Sequence, residues 1–194
     1  FYMENRTPIT KEQCSQYVLW ATVDTEDERF YEHNGVDIKG ILRAVVAQLS
    51  GGSEGASTIT QQLVRNTVLS DEQFEQTLSR KVREAYIATQ LEQMYSKDEI
   101  LMMYLNSIYY GAGCYGIEAA AQTYFGKPCS QLTIAEAATL AGLPQSPSYY
   151  NPLANPESAI ERRNVVLAHL LDKGHITQQE YDDAVASDLV LSYT

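Results

Sequence analysis

The sequence predicts a mainly α-helical fold, on three observations. Helix-start signals recur along the chain, each a Ser or Thr followed three residues later by Glu or Gln. Alternating apolar and polar runs of the kind that build half-buried strands are nearly absent. An apolar fraction of 44% over 194 residues is that of a globular chain with enough length for a sizeable core.

The elements follow in chain order. Thr58-Ile59-Thr60-Gln61 caps a helix directly after the Gly/Ser-rich stretch "SGGSEGAS", Ser50 to Ser57. Such a start leaves free backbone N–H groups, an arrangement that suits an anion. Ser70-Asp71-Glu72-Gln73 is a capping box with acids in its first turn, and it opens a segment to about Tyr95 with apolar or aromatic residues at Phe74, Leu78, Val82, Ala85, Ile87, Ala88 and Leu91. Ser96-Lys97-Asp98-Glu99 opens "ILMMYLNSIYYG", and Thr133-Ile134-Ala135-Glu136 opens "AATLAGL". Pro156 stands where a first helical residue would, ahead of "ESAIERRNVVLAHLLDK", with Gly174 as terminator. Thr177-Gln178-Gln179-Glu180 starts a last short helix, and "LPQSPSYYNPLANP", with four prolines, reads as a packed surface crossing.

Composition narrows the function classes. A formal charge of −11 argues against a nucleic-acid binder or a general binder of anionic membranes, so an anionic substrate would need a local cluster of cations. Cys14, Cys114 and Cys129 have no CxxC spacing and cannot all pair within one chain; they read as free thiols, or as one bridge with one thiol left over. The histidines His33, His169 and His175 make no metal-ligand pattern with them. No apolar run approaches a membrane span and no signal peptide is present. The chain opens at Phe1 without a Met, and an anchor is expected outside it.

Four blocks carry candidate chemistry. "TEDERFYEHNG", Thr25 to Gly35, sets the carboxylates Glu26 and Asp27 beside Phe30, Tyr31 and His33; a carboxylate against apolar surface can act as acid or base. "GASTITQQ" continuing to Arg65 and Asn66 is dense in hydroxyls and amides, which suit sugar or phosphate oxygens. "RKVRE" places Arg80 and Lys81 four and three residues before Glu84, on one helix face. "KDEIL" with Tyr104-Leu105-Asn106 reads as a capped amphipathic helix whose role is packing. Taken singly, each block also has a plain reading as charged surface, helix cap, ion-pair ladder or packing face.

Together the blocks resemble a family. "EDERFYEHNG", "GASTITQQ", "RKVRE", "KDEILMMYLN" and "RRNVVL" are similar to the five ordered motifs of the peptidoglycan glycosyltransferases. These are the transglycosylase domains of class A penicillin-binding proteins and of monofunctional glycosyltransferases. "YYGAGCYGIEAAAQTYFGK" and "LAGLPQSPSYYNP" also look like family sequence, and the resemblance covers roughly Val18 to Ile176.

The resemblance implies a lysozyme-like helical lobe with a small membrane-facing jaw. It implies a single glycosyltransferase domain over residues 1–194, with the jaw at roughly 62–78, and any transpeptidase domain outside the chain. The jaw's apolar residues would be Leu63, Val64, Val68, Leu69 and Phe74, facing either lipid or core. It implies an activity: lipid II is polymerised into β-1,4 glycan strands, with inversion at the anomeric carbon and release of undecaprenyl pyrophosphate. Its partners would be lipid II, the growing glycan chain, the membrane surface and moenomycin-type inhibitors, at the extracytoplasmic face of the cytoplasmic membrane.

By motif position, Glu26 is the general base, Asp27 orients Glu26 or the neighbouring backbone, Phe30 walls off water and His33 is a structural hydrogen-bonding residue. Ser57, Thr58, Gln61, Gln62 and Asn66 line the substrate groove, and Arg65, Arg80 and Lys81 hold the pyrophosphate. Glu84 is the second essential glutamate, and it either steers Lys81 and Arg80 or holds a Mg²⁺ or Mn²⁺ at the pyrophosphate. Arg65 departs from the lysine often found there and keeps its charge, and Ala56 replaces a frequent glycine. Arg162-Arg163 and Lys97 to Asn106 read as framing the cleft. Two rival readings are a lysozyme-like lytic enzyme and an inactive cell-wall scaffold. A cleaver has no use for a pyrophosphate clamp, and a scaffold has no use for an intact Glu26 and Glu84.

Overall fold

The described residues of the computed structural model, 7–52, 55–69 and 77–192, form nine α-helices. They are α1 (Gln16–Glu26), α2 (Ile38–Leu49), α3 (Ile59–Asn66), α4 (Leu78–Met94), α5 (Lys97–Ser107), α6 (Ile117–Phe125), α7 (Ile134–Ala141), α8 (Pro156–Asp172) and α9 (Gln178–Ala186). The only β pairing among them is an isolated antiparallel bridge between Tyr109 and Tyr115. The mainly helical class therefore holds.

Most starts are the ones the local chemistry dictates. Capping boxes close on Thr58–Gln61, Thr133–Glu136 and Thr177–Glu180. Ser96 and Glu99 exchange the reciprocal pair of bonds, at 2.9 and 3.1 Å. Pro156 is the first residue of α8, and Gly174 follows its C-cap with φ +75°. The box at Ser70-Asp71-Glu72-Gln73 and the apolar Phe74 lie outside the described residues; α4 itself is capped by Thr77, whose side chain accepts from Arg80 N–H.

The chain divides into two compact units, 1–25 with 105–194, and 26–104. In the first, α7, α8 and α9 pack around Ala21, Ala138, Ala141, Val166, Leu167, Leu170, Ile176 and Ala184. Arg163 is fully buried there, and it donates to Ser187 O and Val185 O at 3.1 Å each, closing off the end of α9. Arg162 donates to Gly142 O at 3.1 Å. Both arginines hold backbone carbonyls within this unit.

In the second unit α3 packs along α4, with Phe30, Ile59, Leu63, Val64, Ala88, Ile100, Leu101 and Tyr104 buried. Of the jaw residues left open between lipid and core, Leu63 and Val64 are core, in a helix that packs along α4. Val68 is exposed. The large exposed apolar face of this unit lies elsewhere. Along α2, Ile38, Ile41, Leu42, Val45, Val46 and Leu49 are all exposed, and Gly40 is the helix's single buried residue. Their spacing is that of one helix face. The start of α2 is held by Asp37, which caps Gly40 N–H and pairs with Arg29 at 2.8 Å. Arg29's hydrogen bond, ahead of other influences, holds the Asp37 carboxyl below the usual range. Among the described residues no helix is long and apolar enough to cross a membrane.

Candidate active site

The stretch that opens on Glu26 and Asp27 folds back on itself because of Gly35 and His33. Gly35 takes φ +113°, and a Cβ there would sit 2.9 Å from the Ala88 backbone of α4, so only glycine fits. Its N–H donates to His33 Nδ1 at 2.9 Å. With Nδ1 accepting, the His33 Nε2–H donates to Asp27 Oδ2 at 2.7 Å. Gly35 O in turn accepts from the Thr58 hydroxyl at 2.8 Å. His33 is thus the hydrogen-bonding support that the motif implies.

Asp27 is buried and accepts from Ile59 N–H, the first backbone donor of α3, at 3.0 Å. This changes the reading of α3's N-terminus. The free N–H expected to receive a substrate anion already has one, supplied from within the chain, which satisfies the helix end without solvent. Thr58, also buried, serves the same helix start, so neither side chain presents an open face to a ligand. Phe30 likewise differs from its expected role. It is fully buried, with Tyr31 and His33 against its edge and the Lys97 ammonium 4.6 Å from its ring centre. Aromatic burial of this kind stabilises the fold rather than lining a groove.

Glu26, the last residue of α1, meets α3 through Gln62. The Gln62 amide is oriented from both sides: Tyr104 Oη donates to its Oε1 at 3.0 Å, and its Nε2 donates to Glu26 Oε1 at 3.3 Å. One turn further along α3, Arg65 makes a two-point fork on Glu84, Nε to Oε2 and Nη2 to Oε1, both 3.2 Å. Its Nη2 also donates to Ser57 Oγ at 3.0 Å. Residues three apart on a helix share a face. A single short helix therefore presents the Glu26 contact and the Glu84 contact side by side. Gln61 closes the capping box with Thr58, and Asn66 is exposed and donates back to Gln62 O at 2.9 Å.

Glu84 and Arg80 are both fully buried, 3.7 Å apart on successive turns of α4. Lys81 lies at the outer edge of the same turn. Its ammonium pKa is lowered, first by partial desolvation and then by the charges of Arg65 and Arg80, while Glu84 opposes the shift. The cluster thus holds three cations against one buried carboxylate, a local reversal of the chain's acidic balance. Both Glu84 oxygens are already engaged by Arg65, and no group of three His, Cys, Asp or Glu among the described residues could hold a metal ion. A Mg²⁺ or Mn²⁺ at Glu84 would have to take an oxygen from Arg65 and draw its other ligands from substrate phosphates and water.

One supporting residue escaped the sequence reading. Glu92, nearly buried, accepts from the Thr60 hydroxyl at 2.7 Å and pairs with Lys97 at 2.8 Å, while Lys97 Nζ reaches His33 Nδ1 at 3.4 Å. It joins α3, α4 and α5 below the site. The signal was there: Arg80, Glu84, Ala88 and Glu92 recur every fourth residue along α4, so a buried charged stripe was readable. Tyr104, read only as part of a packing helix, also orients Gln62, and nothing local to it points to that contact.

A profile described as transglycosylase matches residues 1–171. The chain belongs to the transglycosylase family. It is 50% identical over 192 residues to penicillin-binding protein 1A of Escherichia coli strain K12, covering 98% of this chain and 22% of that one. It is 48% identical over 184 residues to penicillin-binding protein 1A/1B of Bacillus subtilis strain 168, covering 93% and 20%. A crystal structure of penicillin-binding protein 1A from Haemophilus influenzae superposes with a TM-score of 0.61 at 31% identity, over 97% of this chain and 18% of that one. The chain spans about a fifth of the length of these relatives. Within this transglycosylase domain, all the residues singled out as site candidates fall in the one unit 26–104.

Proposed function

We propose that the chain is a peptidoglycan glycosyltransferase that polymerises lipid II into β-1,4 glycan strands. The observation that carries this reading is the pairing on α3: Gln62 bonded to Glu26, and Arg65, one turn on, bonded to Glu84. Base and cations are thereby presented along one helix face. The acceptor's 4-hydroxyl is a poor nucleophile at neutral pH. Glu26 takes its proton as the oxygen bonds to the anomeric carbon of the donor's N-acetylmuramic acid, a contribution of about 10²–10⁴ in rate. The bond to the lipid pyrophosphate breaks on the opposite side, which accounts for inversion. Charge builds on the departing pyrophosphate, and Arg65 and Lys81 neutralise it, with the buried Arg80 adding to the local field. Arg65 uses Nε and Nη2 on Glu84 and Ser57, leaving Nη1 for a phosphate oxygen. Glu84 steers these cations.

Incubation with lipid II tests the reading. Undecaprenyl pyrophosphate and glycan polymer should appear, with or without chelator, and moenomycin should block both. Soluble muropeptides released from finished glycan, without lipid pyrophosphate, would instead make the chain a lytic enzyme.

The substrate's lipid tail keeps the reaction at a membrane surface, which we place at the extracytoplasmic face of the cytoplasmic membrane. The contact we propose is α2. It has six exposed apolar residues on one face, and Lys39 and Arg43 as its only charges, both basic. Replacing Leu42 and Val46 together with glutamate should weaken binding to phospholipid vesicles by at least about 10–100-fold, the scale of losing one or two buried aliphatic side chains. Both residues are exposed, so thermal stability should not change. Unaltered vesicle binding would remove α2 from this role.

A further inference from the structure

Cys14 and Cys129 stand 115 residues apart in sequence, yet their sulfurs are 3.6 Å apart, both in the unit 1–25 with 105–194. Both side chains are buried. Cys14 caps the end of the short 3-10 turn Lys11–Gln13 that leads into α1, and Cys129 begins a second such turn, Cys129–Gln131, between α6 and α7. The backbone at Cys129 is held in place, since its N–H donates to the buried Glu118 Oε1 at 3.0 Å. The remaining cysteine, Cys114, is occupied elsewhere, its sulfur 3.7 Å from Ala112 O. As thiols, the pair gains only a weak S–H···S contact. A disulfide bond of about 2.05 Å asks the two sulfurs to close by roughly 1.5 Å, a movement within the reach of side-chain rotation.

We propose that Cys14 and Cys129 are a disulfide-forming pair, with Cys114 as the leftover thiol. The oxidant is a disulfide donor, either a thiol–disulfide oxidoreductase or a small-molecule disulfide. One cysteine thiolate attacks a sulfur of the donor, forming a mixed disulfide and releasing a donor thiolate. The second cysteine, deprotonated, attacks the protein sulfur of that mixed disulfide and releases the other donor thiolate. Two S–H bonds are lost, one S–S bond forms, and both electrons end on the donor. Burial slows attack in the folded protein, so the bond forms while the chain folds. The cross-link ties the turn before α1, the helix that ends on Glu26, to the turn before α7. The pair's chemistry is independent of the glycosyltransferase reading; only the natural donor's availability rests on the extracytoplasmic location.

The experiment is refolding of the reduced chain in a glutathione redox buffer, followed by thiol alkylation in denaturant and peptide mapping. The expected product carries one alkylated cysteine, Cys114, and one peptide joining Cys14 to Cys129. Its Tm should exceed that of the reduced chain by about 5–15 °C, as for a cross-link closing a long loop. The C114A variant should give the same link, and C129S none. If refolding yields too little protein, export of the chain into an oxidising compartment gives the same readout. Three alkylated cysteines, or a bond involving Cys114, would overturn the assignment. Loss or retention of polymerisation bears on neither result.

Discussion

Glu26→Gln should reduce lipid II polymerisation by about 10²–10⁴-fold or more while leaving the fold intact. The position of Glu26 argues that it is not there for stability. It ends α1, where the helix dipole is negative and a carboxylate costs a few tenths of a kcal/mol to about 1 kcal/mol. Glutamine keeps the shape and an oxygen that can still accept from Gln62 Nε2, so the contact at 3.3 Å has no reason to open. What it loses is the capacity to take a proton. Polymerisation assays should therefore show a collapse in turnover, thermal unfolding should show little change, and lipid II binding should persist. A variant that polymerises at near-normal rate would take the base role away from Glu26.

Glu84→Gln should be damaging in two separable ways. Glu84 is fully buried between Arg65 and the equally buried Arg80. Neutralising the carboxylate leaves two guanidinium groups facing each other without it. Breaking a buried pair in this way costs about 3–5 kcal/mol, which for a chain of this size lowers Tm by roughly 6–20 °C. The second effect is on the cations themselves. Glu84 favours the charged form of Lys81, whose pKa is already depressed by desolvation. Without it that pKa falls further, and the alkaline limb of the rate profile should move to lower pH. The sign is fixed: a lysine loses its charge as pH rises, so a lower pKa means the pyrophosphate clamp fails earlier. A purely structural Glu84 would lower Tm and leave that limb in place; a metal-holding Glu84 would instead make the wild-type chain sensitive to chelator.

Much of the local structure was legible because its causes are local. A Thr hydroxyl and a Glu or Gln three residues on satisfy each other's orphan donors wherever the chain passes, and the starts of α3, α5, α7 and α9 follow from that alone. Pro156 and Gly174 bound α8 for equally local reasons. What sequence spacing could not convey was cover. Leu63 and Val64 could face lipid or core on spacing alone, and only the packing of α3 along α4 shows them as core. The face of α2 is just as periodic in Ile38, Ile41, Leu42, Val45, Val46 and Leu49, yet it stays uncovered and was not read as a helix at all. Phe30, read as walling off water, is core, because the turn ending on Gly35 folds His33 against it and the start of α5 brings Lys97 over its ring.

The sequence by itself determined the helical class, the places where most helices begin, the family and the chemical types at the site: a carboxylate, a row of amides and hydroxyls, a cationic turn. All of these depend on residue identity and on spacings within a turn or two. Only the tertiary structure decided who holds whom. Asp27 occupies the start of α3 from 32 residues away, and Gln62 and Arg65 bring Glu26 and Glu84 to one helix face. Contacts between distant segments follow from packing, which removes water from buried polar groups and makes each find a partner, and no local pattern specifies which partner that will be.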